Sequence, residues 1–446
     1  MLIEQESVPA QPRENRPERT GGEPESSNPL VEVGENQRGK NLLRALRNRE
    51  FAFFWGGQAV SQTGTWMQQF AQGWVVTTLA SSAFALASVN LAASIPTLIL
   101  MPFGGAAADR MERRRILLIT QWVMAALAVL MGAFVLIGRL HLWHVWLIAG
   151  LLGLATAYDL PAYQSFYPQL VKREDLPQAI ALNQATFNGS RVIGPALASW
   201  FVVRWGMAAA FFANGASFLA VIGSLLLIRP RATAAAISGP KNIQYFMAEG
   251  FRYVRESPHM LALFGLTAIT TMFVFPNVAI LMPFYVKHVL EVGPGSLGAI
   301  MVVSGAGAFL GAICLLALPR SARMGWIMSA LFVIKLALFA LAWSHNLGLA
   351  ITAVAILSFG ISSSLGVAST MVQESAPDAL RGRVMSLYSL AFTGVMPFAA
   401  MAVAQLADVI GMRHELILSA VLYGISGMLL WRMLRKTNPR PLADQE

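Results

Sequence analysis

The sequence predicts an all-α membrane protein with twelve transmembrane helices in two pseudo-symmetric six-helix bundles. Three observations lead there. The first is composition: 56% of the 446 residues are hydrophobic and only 13% are charged, about half the charged share of a soluble domain. The second is spacing, because apolar runs near the ~20 residues that cross a bilayer recur along the chain. The third is sidedness: Lys and Arg in the intervening segments divide 24 to one side and 4 to the other. The positive-inside bias then puts both termini in the cytoplasm. A net charge of +10 would suggest nucleic acid in a soluble chain. Here the charge lies in loops on one side, so the expected partner is the lipid bilayer and not nucleic acid.

Residues 1–40 are rich in Glu, Pro, Arg, Asn and Gly and are expected to form a disordered cytoplasmic tail. No cleavable signal peptide is expected there, since no apolar core segment is present. Residues 40–50, KNLLRALRNRE, read as a basic amphipathic lead-in at the membrane surface. The first bundle spans 41–228, with crossings at about 51–79, 84–107, 116–137, 143–161, 178–203 and 208–228. A polar cytoplasmic connector (229–258) leads to the second bundle, 259–436, with crossings at about 260–286, 296–318, 326–344, 346–371, 384–407 and 414–434. Residues 437–446 form a tail. Trp143, Trp146, Trp205 and Trp343 fall at outer ends, where interfacial aromatics belong.

A weak internal repeat supports the six-plus-six division. Gln169-Leu-Val-Lys-Arg-Glu-Asp175 follows the fourth crossing, and Gln373-Glu-Ser-Ala-Pro-Asp378 follows the tenth. Asp175 and Asp378 stand at helix entrances, where a carboxylate can cap free N–H groups.

Between the second and third crossings lies Gly104-Gly105-Ala-Ala-Ala-Asp109-Arg110-Met-Glu-Arg113-Arg114-Arg115. So short a turn makes those crossings antiparallel neighbours. Gly105 would allow close helix contact, and Asp109 and Arg113 share a face if the turn is helical.

Inside the crossings, polar residues mark candidate sites. Gln58, Gln62, Thr65, Gln69 and Gln72 recur at spacings of 4, 3, 4 and 3, one helix face rising about 21 Å. Lipid would penalise such a face, so it is expected to line a cavity. The seventh crossing offers Thr267, Thr270 and Asn277, with Pro276 set to bend the helix. Arg191 and Lys335 fall in mid-helix, and Asp159 near the cytoplasmic end of the fourth crossing. A charge at the midplane costs on the order of 3 kcal/mol, so each should face protein or water. Two deep cations without a deep acid beside them suit an anionic ligand; the alternative is that they bind backbone carbonyls. No GxxxxGK[ST] loop, HExxH or paired-Cys pattern occurs, so neither catalysis, a metal nor a cofactor is expected. The six His fall at helix ends, and Cys314, the only cysteine, lies in an apolar run.

The charged turn, with Gly105, Asp109, Arg110 and Arg113 at these offsets, resembles the loop between helices two and three of the major facilitator superfamily. Further segments resemble its subgroup of efflux proteins that includes the enterobactin exporter of enteric bacteria: Gly64-Thr65-Trp66-Met67-Gln68, Asp159-Leu160-Pro161-Ala162, Gln164-Ser165-Phe166, Leu182-Asn183, Phe187-Asn188, Arg191, Gly194-Pro195, and Leu380 to Ser386. The resemblance implies a bacterial inner-membrane exporter that works by alternating access, draws on the proton gradient and carries a small molecule. It implies a cytoplasmic gate of Asp109, Arg113 and Asp159, and a hinge at Gly194-Pro195. The first substrate candidate is a siderophore or similar anionic metabolite; the alternative is macrolide or multidrug efflux. A reading from another class, a membrane receptor or the membrane domain of an enzyme, fits the repeat and the charged turn less well. A complete pathway in one chain makes a monomer the expectation. Two positions depart from the subgroup: Tyr163 stands where Arg is frequent, and Thr65 where some relatives carry an acid, which leaves the first bundle without an obvious proton carrier.

Overall fold

Asn48 opens the first long helix, its side chain accepting from the Glu50 and Phe51 N–H groups at 3.1 and 3.3 Å, which satisfies two otherwise unpaired donors. The computed structural model describes residues 44–228, 243–378 and 380–436. The expected N-terminal tail, residues 229–242 of the connector and the 437–446 tail lie outside the described residues. After a 3-10 turn at Arg44–Arg47 come α1 (Arg49–Leu79), α2 (Ala83–Arg110), α3 (Arg113–Leu136), α4 (Leu142–Phe166), α5 (Leu176–Trp205) and α6 (Met207–Leu227). Beyond residue 242 follow α7 (Ile243–Glu256), α8 (Pro258–Phe273), α9 (Phe275–Ala279), α10 (Met282–His288), α11 (Pro294–Cys314), α12 (Arg323–Ala342), α13 (Leu347–Ser375), α14 (Arg381–Thr393), α15 (Met396–Ile410) and α16 (Met412–Lys436).

Among the described residues, nine helical stretches are long and apolar enough to cross a membrane: α2, α3, α4, α6, α11, α12, α13, the α14–α15 run and α16. The long helices outside that set are α1, which carries the Gln stripe, and α5, which carries Arg191. The run α8–α10 is interrupted at Val274 and again at Ile280–Leu281, and α8 alone has 16 residues.

Glycine sets the closest helix contacts, because a bare backbone lets axes approach. A Cβ on Gly104 would strike the Ala157 carbonyl, and one on Gly153 the Ala93 carbonyl, so α2 and α4 touch backbone to backbone. At Gly105 nothing lies within 4 Å of such a Cβ. The contact glycine of the charged turn is therefore Gly104; Gly105 falls on the next face of α2. Gly57 and Gly64 seat α1 on α6 in the same way, and Gly307 and Gly311 seat α11 on α13.

The helices before residue 229 pack chiefly on one another (α1 on α5 and α6, α2 on α4, α3 on α4 and α6), and those after 242 do likewise (α11 and α12 on α13, α12 and α8 on α16). Among the described residues, the sets are joined chiefly by α5 with α11, α2 with α15 and α1 with α10. Below, "basic end" means the end where α1 begins and the Arg-rich turns lie; the other is the far end.

Several expectations are corrected. The run 384–407 is two helices, broken at Gly394–Val395, because Pro397 lacks the N–H that would continue the ladder. The connector contains the amphipathic helix α7, docked on the basic end by an ion pair from Glu249 to Arg383 and a bond from the Tyr253 hydroxyl to the Ser375 carbonyl at 2.9 Å. Asp175 precedes α5 without a side-chain cap bond; it pairs instead with Arg44 at 3.1 Å. Asp378 pairs with Arg381 at 2.6 Å. A nearby guanidinium outcompetes the helix N–H groups for each carboxylate.

Candidate functional site

A cavity of about 220 Å³ lies where the two helix sets meet; Arg191 of α5 forms one wall. The opposite walls are Phe275, Val278 and Ala279 of α9, Ala308 of α11, and Ser358, Ile361, Ser362 and Leu365 of α13. Arg191 is held there because α5 runs unbroken through Gly194-Pro195 and is clasped from both sides. Gly194 admits the Trp66 side chain of α1, and Gly305 of α11 comes within a Cβ's reach of the Arg191 carbonyl, at 3.3 Å. The Thr63 and Ser190 hydroxyls tie α1 to α5 at 3.1 Å. The half-buried Arg191 guanidinium takes no hydrogen bond or ion pair among the described residues. The wall contains no acid. A cation so placed attracts an anionic or acceptor-rich guest.

The Gln stripe of α1 occupies the face its neighbours leave open. Gly57, Ser61, Gly64 and Gln68 are buried; Gln68 accepts from the Asn214 amide of α6 at 2.7 Å. Gln58, Gln62, Thr65 and Gln72 are half-buried and Gln69 is exposed, while Gln58 Oε1 has no partner. None of the stripe residues lines the Arg191 cavity.

Lys335 and Asn277 are not brought to that cavity. Lys335 lies on α12, its stem over Gly424 of α16 and its ammonium 5.3 Å from the Phe332 ring. Asn277 sits on the back of α9 and is fully buried against α16. Both placements have one physical cause: depth along a helix is set by sequence position, but the side presented to a neighbour is set by how helices pack.

The charged turn is in place at the basic end, with its members apart. Asp109 and Arg110 are exposed. Arg113 donates to the Ala108 carbonyl at 3.1 Å and the Ser165 carbonyl at 3.2 Å, bridging the ends of α2 and α4. Asp159 accepts from Thr120 at 2.5 Å and Gln121 at 3.1 Å, both on α3. Thr120-Gln121, a polar pair inside an apolar run, is a signal that sequence reading passed over.

The far end carries contacts that sequence reading missed. Asp408, near the end of α15, accepts from the Ser82 hydroxyl at 2.6 Å and from the Ala83 and Phe84 N–H groups at 2.7 and 3.0 Å. It thus caps α2, a helix of the other set. Lys287, in the last turn of α10, donates to the Thr77 carbonyl at the end of α1, at 2.7 Å.

Comparison with known proteins agrees with this architecture. The sequence pattern of the transmembrane secretion effector family matches residues 41–443. The chain is 25% identical to macrolide efflux protein A of Streptococcus pyogenes over 84% of its own length and 93% of that protein's. It is 25% identical to the enterobactin exporter EntS of Shigella boydii over 64% of its own length and 68% of that protein's. Its fold is similar to that of a bacterial homologue of the human lysosomal transporter Spinster, with a TM-score of 0.70 and 13% identity over 89% of this chain and 99% of the other. The chain belongs to the transmembrane secretion effector family of major facilitator transporters.

Proposed function

We propose that this efflux transporter exports a small anionic metabolite, with an iron-chelating siderophore the first candidate, by alternating access between two six-helix halves. The observation that carries the substrate class is the unpartnered guanidinium of Arg191 in a wall without acids. A bound carboxylate or catecholate would supply the charge-assisted bonds it lacks, each contributing about 1.5–3 kcal/mol. Similarity to the enterobactin exporter supports the same class.

The twelve-crossing reading adds α1, α5 and the broken run α8–α10 to the nine apolar stretches. These three fall short in hydropathy or length because they face the path between the halves, where polar side chains and broken helices are tolerated. With both termini cytoplasmic, the basic end faces the cytoplasm. The far-end bonds of Asp408 and Lys287 fit a state closed to the outside. In that state Asp109, Arg113 and Asp159 need not meet; they gather when the cytoplasmic side closes. Protons are the expected coupling ion, and the monomer the expected working unit.

The test is comparative exometabolomics of a deletion strain and its parent in iron-poor and iron-rich medium. One chelating compound should disappear from the medium and build up in the cells. Unchanged secretion of every chelator contradicts the substrate assignment. Arg191→Gln should weaken apparent affinity for that compound about tenfold or more, with membrane abundance intact. A second reading, macrolide efflux, is favoured by the longer match to macrolide efflux protein A. A large, drug-selective gain in susceptibility on deletion would put it first.

A further inference from the structure

We propose that Glu415 is a proton-binding carboxylate of this transporter, set on the side of α9 opposite the central cavity. The role in coupling rests on the transport reading above; the binding of a proton does not. Glu415 lies in the first turn of α16, where an acid would ordinarily face solvent beside the helix N-terminus. It is instead 1% exposed. One carboxyl oxygen accepts from the Ser419 hydroxyl at 2.5 Å and from the Asn277 amide at 3.4 Å. The other oxygen has no partner, nor has the Asn277 carbonyl oxygen. The Glu415–Asn277 pair is therefore rich in acceptors and short of one donor. A proton on the carboxyl supplies that donor and removes a charge whose burial costs several kcal/mol when no cation meets it.

Among the described residues, no cation meets it from any element packed nearby. Residues 260–279 of α8 and α9 contain no charged side chain. Lys335 of α12 lies over Gly424, more than two turns along α16. On α10, Tyr285 donates to the Leu341 carbonyl and Lys287 to the Thr77 carbonyl, while the His288 ring lies 4.7 Å from that of Phe284. Asp408 of α15 is engaged at α2. On α16 itself, Arg413 turns to His345 and the Ser344 carbonyl, and His414 to the Ile410 carbonyl.

The surroundings connect this carboxylate to the transport path. Glu415, Ser419 and Tyr423 are spaced four apart and form one stripe on α16. The stripe faces Asn277 and, further along, Thr270, whose hydroxyl is 3.4 Å from that of Tyr423. One turn back on α8, Thr267 donates to the Tyr388 hydroxyl at 2.8 Å, and Tyr388 reaches the Leu365 carbonyl at 3.4 Å. Leu365 lines the Arg191 cavity. A buried polar seam thus begins at Glu415 and ends at the cavity wall. The link through α9 is shorter. This five-residue helix, bounded by a break at each end, presents Asn277 to Glu415 and Phe275, Val278 and Ala279 to the cavity. Gain or loss of the proton changes what holds Asn277, and any shift of α9 moves that wall.

The test is infrared difference spectroscopy of the purified full-length protein in lipid, stepped through pH without substrate. The wild type should show a carboxylic-acid carbonyl band that appears and vanishes with pH, and Glu415→Gln should lose that band. Ser419→Ala, which removes one hydrogen bond to the same carboxylate, should keep the band and move its midpoint. This second variant decides the matter if the first does not accumulate. A difference spectrum that is the same in Glu415→Gln as in the wild type, or a midpoint unmoved in Ser419→Ala, overturns the assignment. Secretion is read separately: a titrating Glu415 with unchanged siderophore export retains the proton site and removes the substrate reading, and the reverse pattern does the opposite.

Discussion

At the far end, Asp408 of α15 caps α2 and Lys287 holds the end of α1, so polar bonds cross from one helix set to the other. At the basic end, ion pairs lie within one set: Arg44 with Glu174 and Asp175, Arg320 and Arg323 with Glu374, Arg383 with Glu249, and Arg381 with Asp378. The basic end holds more charge, and these pairs tie neighbouring segments of one set to each other. The far-end bonds are a carboxylate on a helix N-terminus and an ammonium on a helix C-terminus, two arrangements in which helix dipole and hydrogen bond act together.

Changes at the two ends should separate accordingly. The largest effect belongs to Gly104→Val, which places a side chain against the Ala157 backbone. Overpacking of about 1–3 kcal/mol or more should lower the amount of folded protein, as read by thermal unfolding in detergent. Gly105→Ala, open on that side, should be nearly silent. Next comes Asp408→Ala. It removes an acceptor shared by three donors, and at an exposed site the loss is about 1 kcal/mol. That favours opening of the far end by roughly five- to tenfold, visible as faster labelling of a cysteine at Ser81. Lys287→Gln should act in the same direction and more weakly, since one part-buried bond is lost where Asp408→Ala loses three. At the basic end, Asp109→Asn and Arg113→Ala should impair transport without lowering abundance and without opening the far end. Full transport in both would remove the gate assignment.

The contrast also marks what the sequence could disclose. The break near Pro276 and the short turn between α2 and α3 follow from local chemistry, and both are present in the fold. Which face meets which neighbour does not. Gly104 and Gly105 are adjacent and chemically equal, yet a 100° step separates a backbone contact from open space. Asn277 and Lys335 lie in apolar runs but turn to α16, because α9 and α12 offer it that side. Asp408 reads as an ordinary acid at the end of a run; its meaning comes from α2, over 300 residues earlier in the chain. Glu415 reads as a first-turn acid until α9 is seen to cover it.

Alternation between the two ends is tested most directly by pulsed electron-spin distance measurements in lipid, in a Cys314→Ser background. One label pair, Ser81 and Val409, spans the far end; the other, Met111 and Ser321, spans the basic end. The account predicts a short far-end distance and a long basic-end distance, with Asp408→Ala lengthening the first and shortening the second. Both distances unchanged by that substitution, or both moving in the same sense, would contradict it.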